Sequence, residues 1–253
     1  MQQAAYGKLY AQHYDIGTGD AQIVDFYLDV WRGLGRPAPV LEPMCGTGLK
    51  LIPMLQAGAE GDGLDASPFM LEICREKCAA KGLDCTLYEQ FLEQMALPRR
   101  YGLIFIPDRS FGHIHDKTLA ATCLQRLYDH LAPGGWLVLD VRPPASIDGF
   151  GRPGQVDHSL DEYDDGTTVF TTGYWDHLDT GRVVRKWNKI ERFANDVLVA
   201  TEVFDYRERL YEVDEVMEAF AQAGFDEIHV TKAYEQEGTP VERDGIVCWG
   251  RRR

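Results

Sequence analysis

From about residue 20 to 141 the chain alternates strand-like and helix-like stretches, and this alternation narrows the possible folds more than any other feature. Short apolar runs separated by amphipathic helices describe parallel βαβ units, with helices covering both faces of one sheet. Asp20 can cap a helix whose apolar face is Ile23, Phe26, Tyr27 and Val30, ended by Gly33 and Gly35. A buried strand follows at 39–42, then a helix that opens at Gly48, runs through Leu51, Ile52 and Leu55, and stops at Gly58. Residues 61–65 form a second strand. Ser67-Pro68 then starts a helix, because Ser satisfies free amides and Pro at the first helical position removes a donor that has no partner there. Gly82 ends that helix after Lys81. Strands at 85–88 and 101–106, a helix at 116–131, a Pro133-Gly134-Gly135 turn and a strand at 136–141 complete the run.

The pattern then changes. Residues 142–210 lose the helical period and show β-rich runs punctuated by Gly151, Gly154, Asp179-Thr180-Gly181 and Asn195-Asp196. Three or four antiparallel strands fit this stretch. A helix at 213–223 is closed by Gly224, and strands near 225–232 and 246–250, joined only by a loop, form an antiparallel hairpin at the sheet edge. The expected fold is α/β: a doubly wound, seven-stranded, mostly parallel, Rossmann-like sheet with an antiparallel β cap inserted after strand five. Residues 1–141 and 211–253 make the cofactor-binding core, and 142–210 the cap over the substrate site.

Charge narrows the partners. The 253 residues carry 26 Lys and Arg against 40 Asp and Glu, a formal charge of −14. That field repels phosphate backbones and anionic lipid, so neither nucleic acid nor membrane is an expected partner. Arg251-Arg252-Arg253 reads as a solubilising tail. The first residues lack the apolar stretch of a secretory signal, and no segment approaches the roughly 20 apolar residues that span a bilayer. Six scattered cysteines form no framework, so a reduced, cytoplasmic setting is expected. Cys74, Cys78, His113 and His115 could be drawn as a zinc site, but Cys74 and Cys78 follow the apolar face of Met70, Leu71 and Ile73, and no metal is expected.

The chemistry lies in Val40 to Gly48, a strand, a Gly-rich turn and a helix start. Glycines there let backbone approach a ligand at the carboxyl edge of a parallel strand. Leu51 stands where a dinucleotide fingerprint wants a third Gly, which counts against NAD. Asp65, ending strand two, can accept two charge-assisted bonds from a ribose diol, or merely cap the Ser67 turn.

This set resembles the class I S-adenosylmethionine-dependent methyltransferases. The likeness rests on Glu42 through Gly48, Asp65, the segment after strand four, the Leu131-Ala132-Pro133-Gly134-Gly135 turn and the Ala223-Gly224-Phe225 turn. It implies S-adenosylmethionine as cofactor. By that resemblance Glu42 and Gly46 surround the methionyl part and Gly48 keeps the helix start close. Asp65 holds the ribose, Ala66 and Met70 flank the adenine, and Gln90, Phe91 and Leu92 line its other face. Ile106, ending strand four, joins the cofactor set. Phe91 stands where many members have an acid, and Met44, also in the set, replaces a common glycine.

A closer likeness is to small-molecule N-methyltransferases, including those acting on nucleotide-linked amino sugars. It rests on an N-terminal Tyr helix, the Arg109 to Ile114 stretch and the β-rich insertion. Tyr6, Tyr10 and Tyr14 share one helical face, which either packs on the core or covers the cofactor, with Tyr14 nearest the ligand. Methyl transfer from a sulfonium is an in-line displacement, so the protein supplies alignment, desolvation and, for a protonated acceptor, a base. His113 is the candidate base, with a structural hydrogen bond as its other reading, and Tyr14 joins it as catalytic. In the cap, Tyr174, Trp175, His177, Trp187 and Arg192 are candidate substrate contacts. The implied activity is methyl transfer to nitrogen or oxygen of a small molecule. The alternatives are a non-catalytic nucleoside-binding module and a dinucleotide-dependent oxidoreductase; oligomeric state is not legible.

Overall fold

The computed structural model describes residues 6–16, 20–235 and 245–253. The main sheet uses β1 (Val40–Pro43), β2 (Gly61–Asp65), β3 (Leu87–Glu89), β4 (Tyr101–Ile106), β5 (Leu131–Val141), β10 (Asp226–Lys232) and β11 (Ile246–Arg251). Its order is β10-β11-β5-β4-β1-β2-β3. The strands from β5 to β3 run parallel, and β11 is antiparallel to both β5 and β10. The expected hairpin is present, with β11 inside and β10 at the edge.

Helices α2 (Ala21–Gly33), α3 (Leu51–Gln56), α4 (Pro68–Ala80), α5 (Lys117–His130) and α6 (Val213–Gln222) cover the sheet, and α1 (Lys8–His13) precedes them. Asp20, Ser67 and Asp116 cap α2, α4 and α5, each side chain accepting from an amide of the first turn. The strand period of two separates the faces. Leu103, Phe105, Val138, Val247 and Trp249 pack with Phe26, Tyr27 and Val30 of α2. Ile104, Ile106, Leu137, Leu139, Ile246 and Cys248 point the other way, to α5 and α6.

Three local expectations need correction. The helix after the Gly-rich turn starts at Leu51 rather than Gly48, because residues 44–50 form turns around the positive φ of Met44, Gly46 and Gly48. Strand five begins at Leu131 and absorbs the Pro133-Gly134-Gly135 turn, since Gly134 N donates to Arg252 O and Arg252 N to Gly135 O, both at 2.8 Å. The terminal arginines are built into the fold. Arg252 Nη1 donates to the carbonyls of Tyr128, Asp129 and Leu131, closing the C-terminal end of α5.

The stretch after β5 forms a second sheet, β6 (Val156–Glu162), β7 (Thr167–Leu178), β8 (Val183–Ala194) and β9 (Val197–Arg209), antiparallel throughout in the order β6-β7-β8-β9. Val169, Ile190 and Phe204 form an apolar inner face on which Leu9 of α1 packs. Glu202 of β9 accepts from the amides of Gly7 and Leu9, at 3.0 and 2.9 Å. On its other side the N-terminal segment meets the core: Ser67 Oγ donates to Tyr6 O, Thr47 Oγ1 to Asp15 at 2.5 Å, and Lys77 pairs with Asp15. Thus α1 bridges the two sheets.

Asp140, 1% exposed at the end of β5, ties three elements together. Its Oδ1 accepts from Tyr27 Oη at 2.6 Å; its Oδ2 accepts from Arg109 N at 2.9 Å and Tyr234 Oη at 3.2 Å. Burial pushes its carboxyl up to about 6, with the Tyr27 bond and the Arg109 charge pulling it down. A folded-state value above the unfolded one, roughly 3.9, means that ionising Asp140 costs stability as pH rises from about 4 through about 6. The Tyr27 hydroxyl limits that cost by serving the charged form. Tyr27→Phe should therefore lose about 1–3 kcal/mol at pH 8 and less at pH 5, where the carboxyl is largely protonated. Urea denaturation at the two pH values measures this, and equal losses would contradict it.

Candidate active site

At the carboxyl edge of β1, β2 and β4, where a doubly wound sheet binds ligands, lies a cavity of about 640 Å³. One wall comes from the turns after β1 and β2, the 90–93 segment and the N-terminal segment. A second wall comes from the turn after β4, from β9 and from Trp187 of β8.

The first wall is organised by Asp65. Its Oδ2 accepts from Gly46 N at 2.9 Å and its Oδ1 from Ser67 N at 2.8 Å. The capping interpretation of Asp65 is thus present in the geometry, yet each oxygen keeps lone-pair capacity and the residue borders the cavity. Burial raises its carboxyl, while the amides of Ser67, Gly46 and Ala66 lower it and keep it an acceptor. Gly46 has φ +53, and a Cβ there would meet nothing closer than the Tyr14 ring at 4.0 Å, so a ligand can pass close to bare backbone.

Of the residues singled out from sequence, Tyr14, Met44, Gly46, Asp65, Ala66, Met70, Gln90, Phe91, Leu92 and His113 line this one cavity. Glu42, Gly48 and Ile106 do not border it. Gly48 has φ +82, and a Cβ there would stand 2.7 Å from Cys74 Sγ, so its smallness serves packing of the turn on α4. Ile106 is fully buried, and its carbonyl accepts from Tyr27 Oη at 3.3 Å. Glu42 is 2% exposed with Oε2 unpartnered among the described residues. Burial raises its carboxyl strongly and the nearby Lys50 ammonium opposes this. Lys50 in turn pairs with Asp108 of the second wall at 2.8 Å.

The second wall carries His113, in the 3-10 turn Ser110–His113. Its Nδ1 lies 3.0 Å from the backbone oxygen of Arg207. A carbonyl only accepts, so Nδ1 carries the proton and Nε2 holds a lone pair. Burial lowers the imidazole pKa, outweighing the Arg207 bond, so the neutral form prevails at pH 7. The Tyr206 ring stands edge-on to it at 5.5 Å.

Tyr14 follows α1 directly, and burial raises its hydroxyl pKa. The tyrosine face packs on the second sheet rather than on the core: Tyr6 and Tyr10 stack at 4.8 Å and pack on Phe204 of β9, while Tyr6 and Tyr14 line the cavity. Among the cap candidates Trp187 lines the cavity, whereas Tyr174, Trp175, His177 and Arg192 do not. Trp175 packs on Phe150 at 5.8 Å, and His177 Nε2 lies 2.9 Å from Gly151 O. Sequence reasoning missed Asp108, Ser110, Glu202, Asp205, Tyr206 and Arg207, all lining the cavity. Alternation along β9 flags two faces, but which one meets the core depends on how the two sheets dock. Cys74 and Cys78 lie in the α3–α4 packing with Leu51 and Leu55, and among the described residues no group of three or more His, Cys, Asp or Glu side chains is arranged to hold a metal.

Residues 40–135 match the family model described as a methyltransferase domain. A dTDP-3-amino-3,6-dideoxy-alpha-D-glucopyranose N,N-dimethyltransferase of Streptomyces fradiae is 27% identical over 144 residues, 54% of this chain and 55% of that protein. A demethylmenaquinone methyltransferase of Thermus thermophilus is 37% identical over 117 residues, 46% of this chain and 52% of that one. The alignments thus span about half the length of each curated relative. A sugar N-methyltransferase from Streptoalloteichus superposes with a TM-score of 0.79 at 22% identity, covering 100% of this chain and 96% of that one. Residues 40–135 thus resemble a methyltransferase domain, and the chain as a whole has the fold of solved S-adenosylmethionine-dependent methyltransferases.

Proposed function

We propose that the protein transfers a methyl group from S-adenosylmethionine to an amine nitrogen of a small molecule. The observation that carries this reading is a single cavity with the Gly46–Asp65 cradle on one wall and a neutral, Nε2-basic His113 on the other. The residues fit the cofactor's chemistry. Asp65 keeps acceptor capacity for a diol, and Ala66, Met70, Phe91 and Leu92 offer apolar surface for a purine. When bound, the cofactor supplies a methyl group already activated on a sulfonium.

What the chain adds is positioning and proton removal. An amine is mostly protonated at pH 7 and has no lone pair to attack with until a proton leaves. His113 Nε2 takes that proton, and the Arg207 carbonyl, by holding Nδ1–H, keeps Nε2 turned to acceptance. Tyr14 closes over Gly46 and keeps water from the cradle. The four-stranded sheet acts as the cap over the acceptor, with residues 142–210 as the inserted unit and 1–141 with 211–253 as the core. The small molecule is the partner; nucleic acid and membrane are not. The six cysteines are free thiols, which accords with a cytoplasmic setting. Among the described residues no helix is long and apolar enough to cross a membrane.

Asp65→Ala removes two charge-assisted bonds to the ribose, each worth about 1.5–3 kcal/mol, and should weaken S-adenosylhomocysteine binding by about 10²-fold or more; unchanged affinity by calorimetry would end the ribose assignment. For His113, the variants to compare are Ala and Asn, because Asn can still donate to the Arg207 carbonyl but has no basic nitrogen. A positioned base contributes about 10²–10⁴-fold, so both variants should lose at least that lower amount in kcat/KM. The wild-type acidic limb should lie below the ordinary histidine range, following the downward pKa shift, and disappear in both variants. If Asn keeps more than about a tenth of wild-type kcat/KM, alignment alone is the mechanism.

A further inference from the structure

The cavity lining has an unusual balance of charge for an acceptor that would arrive on phosphates. Asp65, Glu93, Asp108, Glu202 and Asp205 line it, against the single guanidinium of Arg207 among the described residues. That guanidinium is already matched: Arg207 Nε lies 3.2 Å from Asp205 Oδ2. Three cations of the neighbouring strand β8 are matched as well, and the fourth, Arg192, does not border the cavity. Arg185 pairs with Asp176 at 2.6 Å, Lys186 with Asp157 at 3.0 Å and Lys189 with Glu191 at 2.8 Å. In the shallow pocket beside His115, Arg209 and Lys117 both pair with Glu215, at 3.1 and 2.8 Å. A pyrophosphate needs uncommitted guanidinium, ammonium or backbone amides, and these cations are already committed to carboxylates.

The remaining lining favours the opposite charge: with Asp108 matched by Lys50 and Asp205 by Arg207, Asp65, Glu93 and Glu202 still face the cavity without a paired cation among the described residues. Tyr6, Tyr14, Phe91, Trp187, Phe204 and Tyr206 surround the cavity, and aromatic faces beside carboxylates attract ammonium groups. Trp187 is 41% exposed at the cap end, with the Arg185 guanidinium 5.2 Å from its ring centroid, so the ring already serves as a platform for a cation. We infer that the acceptor is a cationic amine on a small scaffold that carries no nucleoside diphosphate, unlike the dTDP-linked sugar for which the Streptomyces fradiae relative is named. The inference rests on the amine-methylation reading above and specifies its substrate class. The acidic lining raises the local concentration of the ammonium form, and His113 then removes its proton.

The test has two arms. Calorimetry first titrates S-adenosylhomocysteine into the protein, which reports on the cofactor reading alone, and then titrates dTDP into the loaded protein. No saturable dTDP binding up to millimolar concentration is expected; saturable binding would overturn the inference even if transfer activity is intact. The second arm follows labelled methyl transfer to one 3-amino-3,6-dideoxyhexose offered as its methyl glycoside and as its dTDP conjugate. The glycoside should be preferred by at least about tenfold in kcat/KM, with a rate that falls as salt rises, because screening weakens attraction between unlike charges. Preference for the conjugate, or a rate that rises with salt, would refute the inference. If neither sugar is turned over, the dTDP titration decides.

Discussion

Asp140 has almost no access to water, and a carboxylate in that position is tolerable only because donors surround it. They come from far apart in the chain: the Tyr27 hydroxyl on α2, the Arg109 amide after β4 and the Tyr234 hydroxyl after β10. The Arg109 bond matters most for the site. Asp108 and Arg109 both have positive φ, at 58° and 61°, conformations that a non-glycine residue holds only when its surroundings demand it. The Asp140–Arg109 bond is one such demand, and the turn it holds carries Asp108, Ser110 and His113 into the cavity. The second wall of the site therefore depends on a buried acid that touches no part of the cavity.

The first wall is held by a similar device on a smaller scale. Asp65 spans the amides of Gly46 and Ser67, so one carboxylate sets the spacing between the turns after β1 and β2. The N-terminal segment then joins the two walls. It bonds to the core through Ser67, Thr47 and Lys77, and to the second sheet through Glu202 and the tyrosine–Phe204 cluster. A helix of six residues is too short to persist alone in water; here its lifetime is set by those contacts. Tyr14 is thus carried by a segment anchored to both sheets, its ring 6.1 Å from Tyr6 and 5.6 Å from Tyr10.

Much of this was legible from the chain. Alternating apolar runs with caps at Asp20 and Ser67 specified the doubly wound sheet, and the loss of helical period after residue 141 marked the inserted strands. The strand β6 carried a weaker signal: its residues are mostly exposed, His158, Ser159 and Glu162 among them, so no buried stripe announced it. The turn around Gly134 looked like a loop because its partner, the Arg252 backbone, lies at the other end of the chain. Arg252 itself looked like tail because no sequence pattern links it to the end of α5.

For the site, the sequence by itself determined which residues sit at the carboxyl edge: the Gly-rich turn, Asp65 and the His113 turn all follow strands, and a parallel sheet brings strand ends together. Only the tertiary structure decided their roles. Gly48 does not border the cavity, and its smallness serves packing because Cys74 occupies the space beyond it. Ile106 and Glu42 fell behind the cavity wall because their strand positions face the interior. The protonation pattern of His113 was set by a carbonyl 94 residues away on β9, and cations of the second sheet were matched by ion pairs within it. Local pattern fixes where a strand ends, because caps and period act over a few residues; what faces that end depends on how two sheets dock, which is a long-range packing outcome.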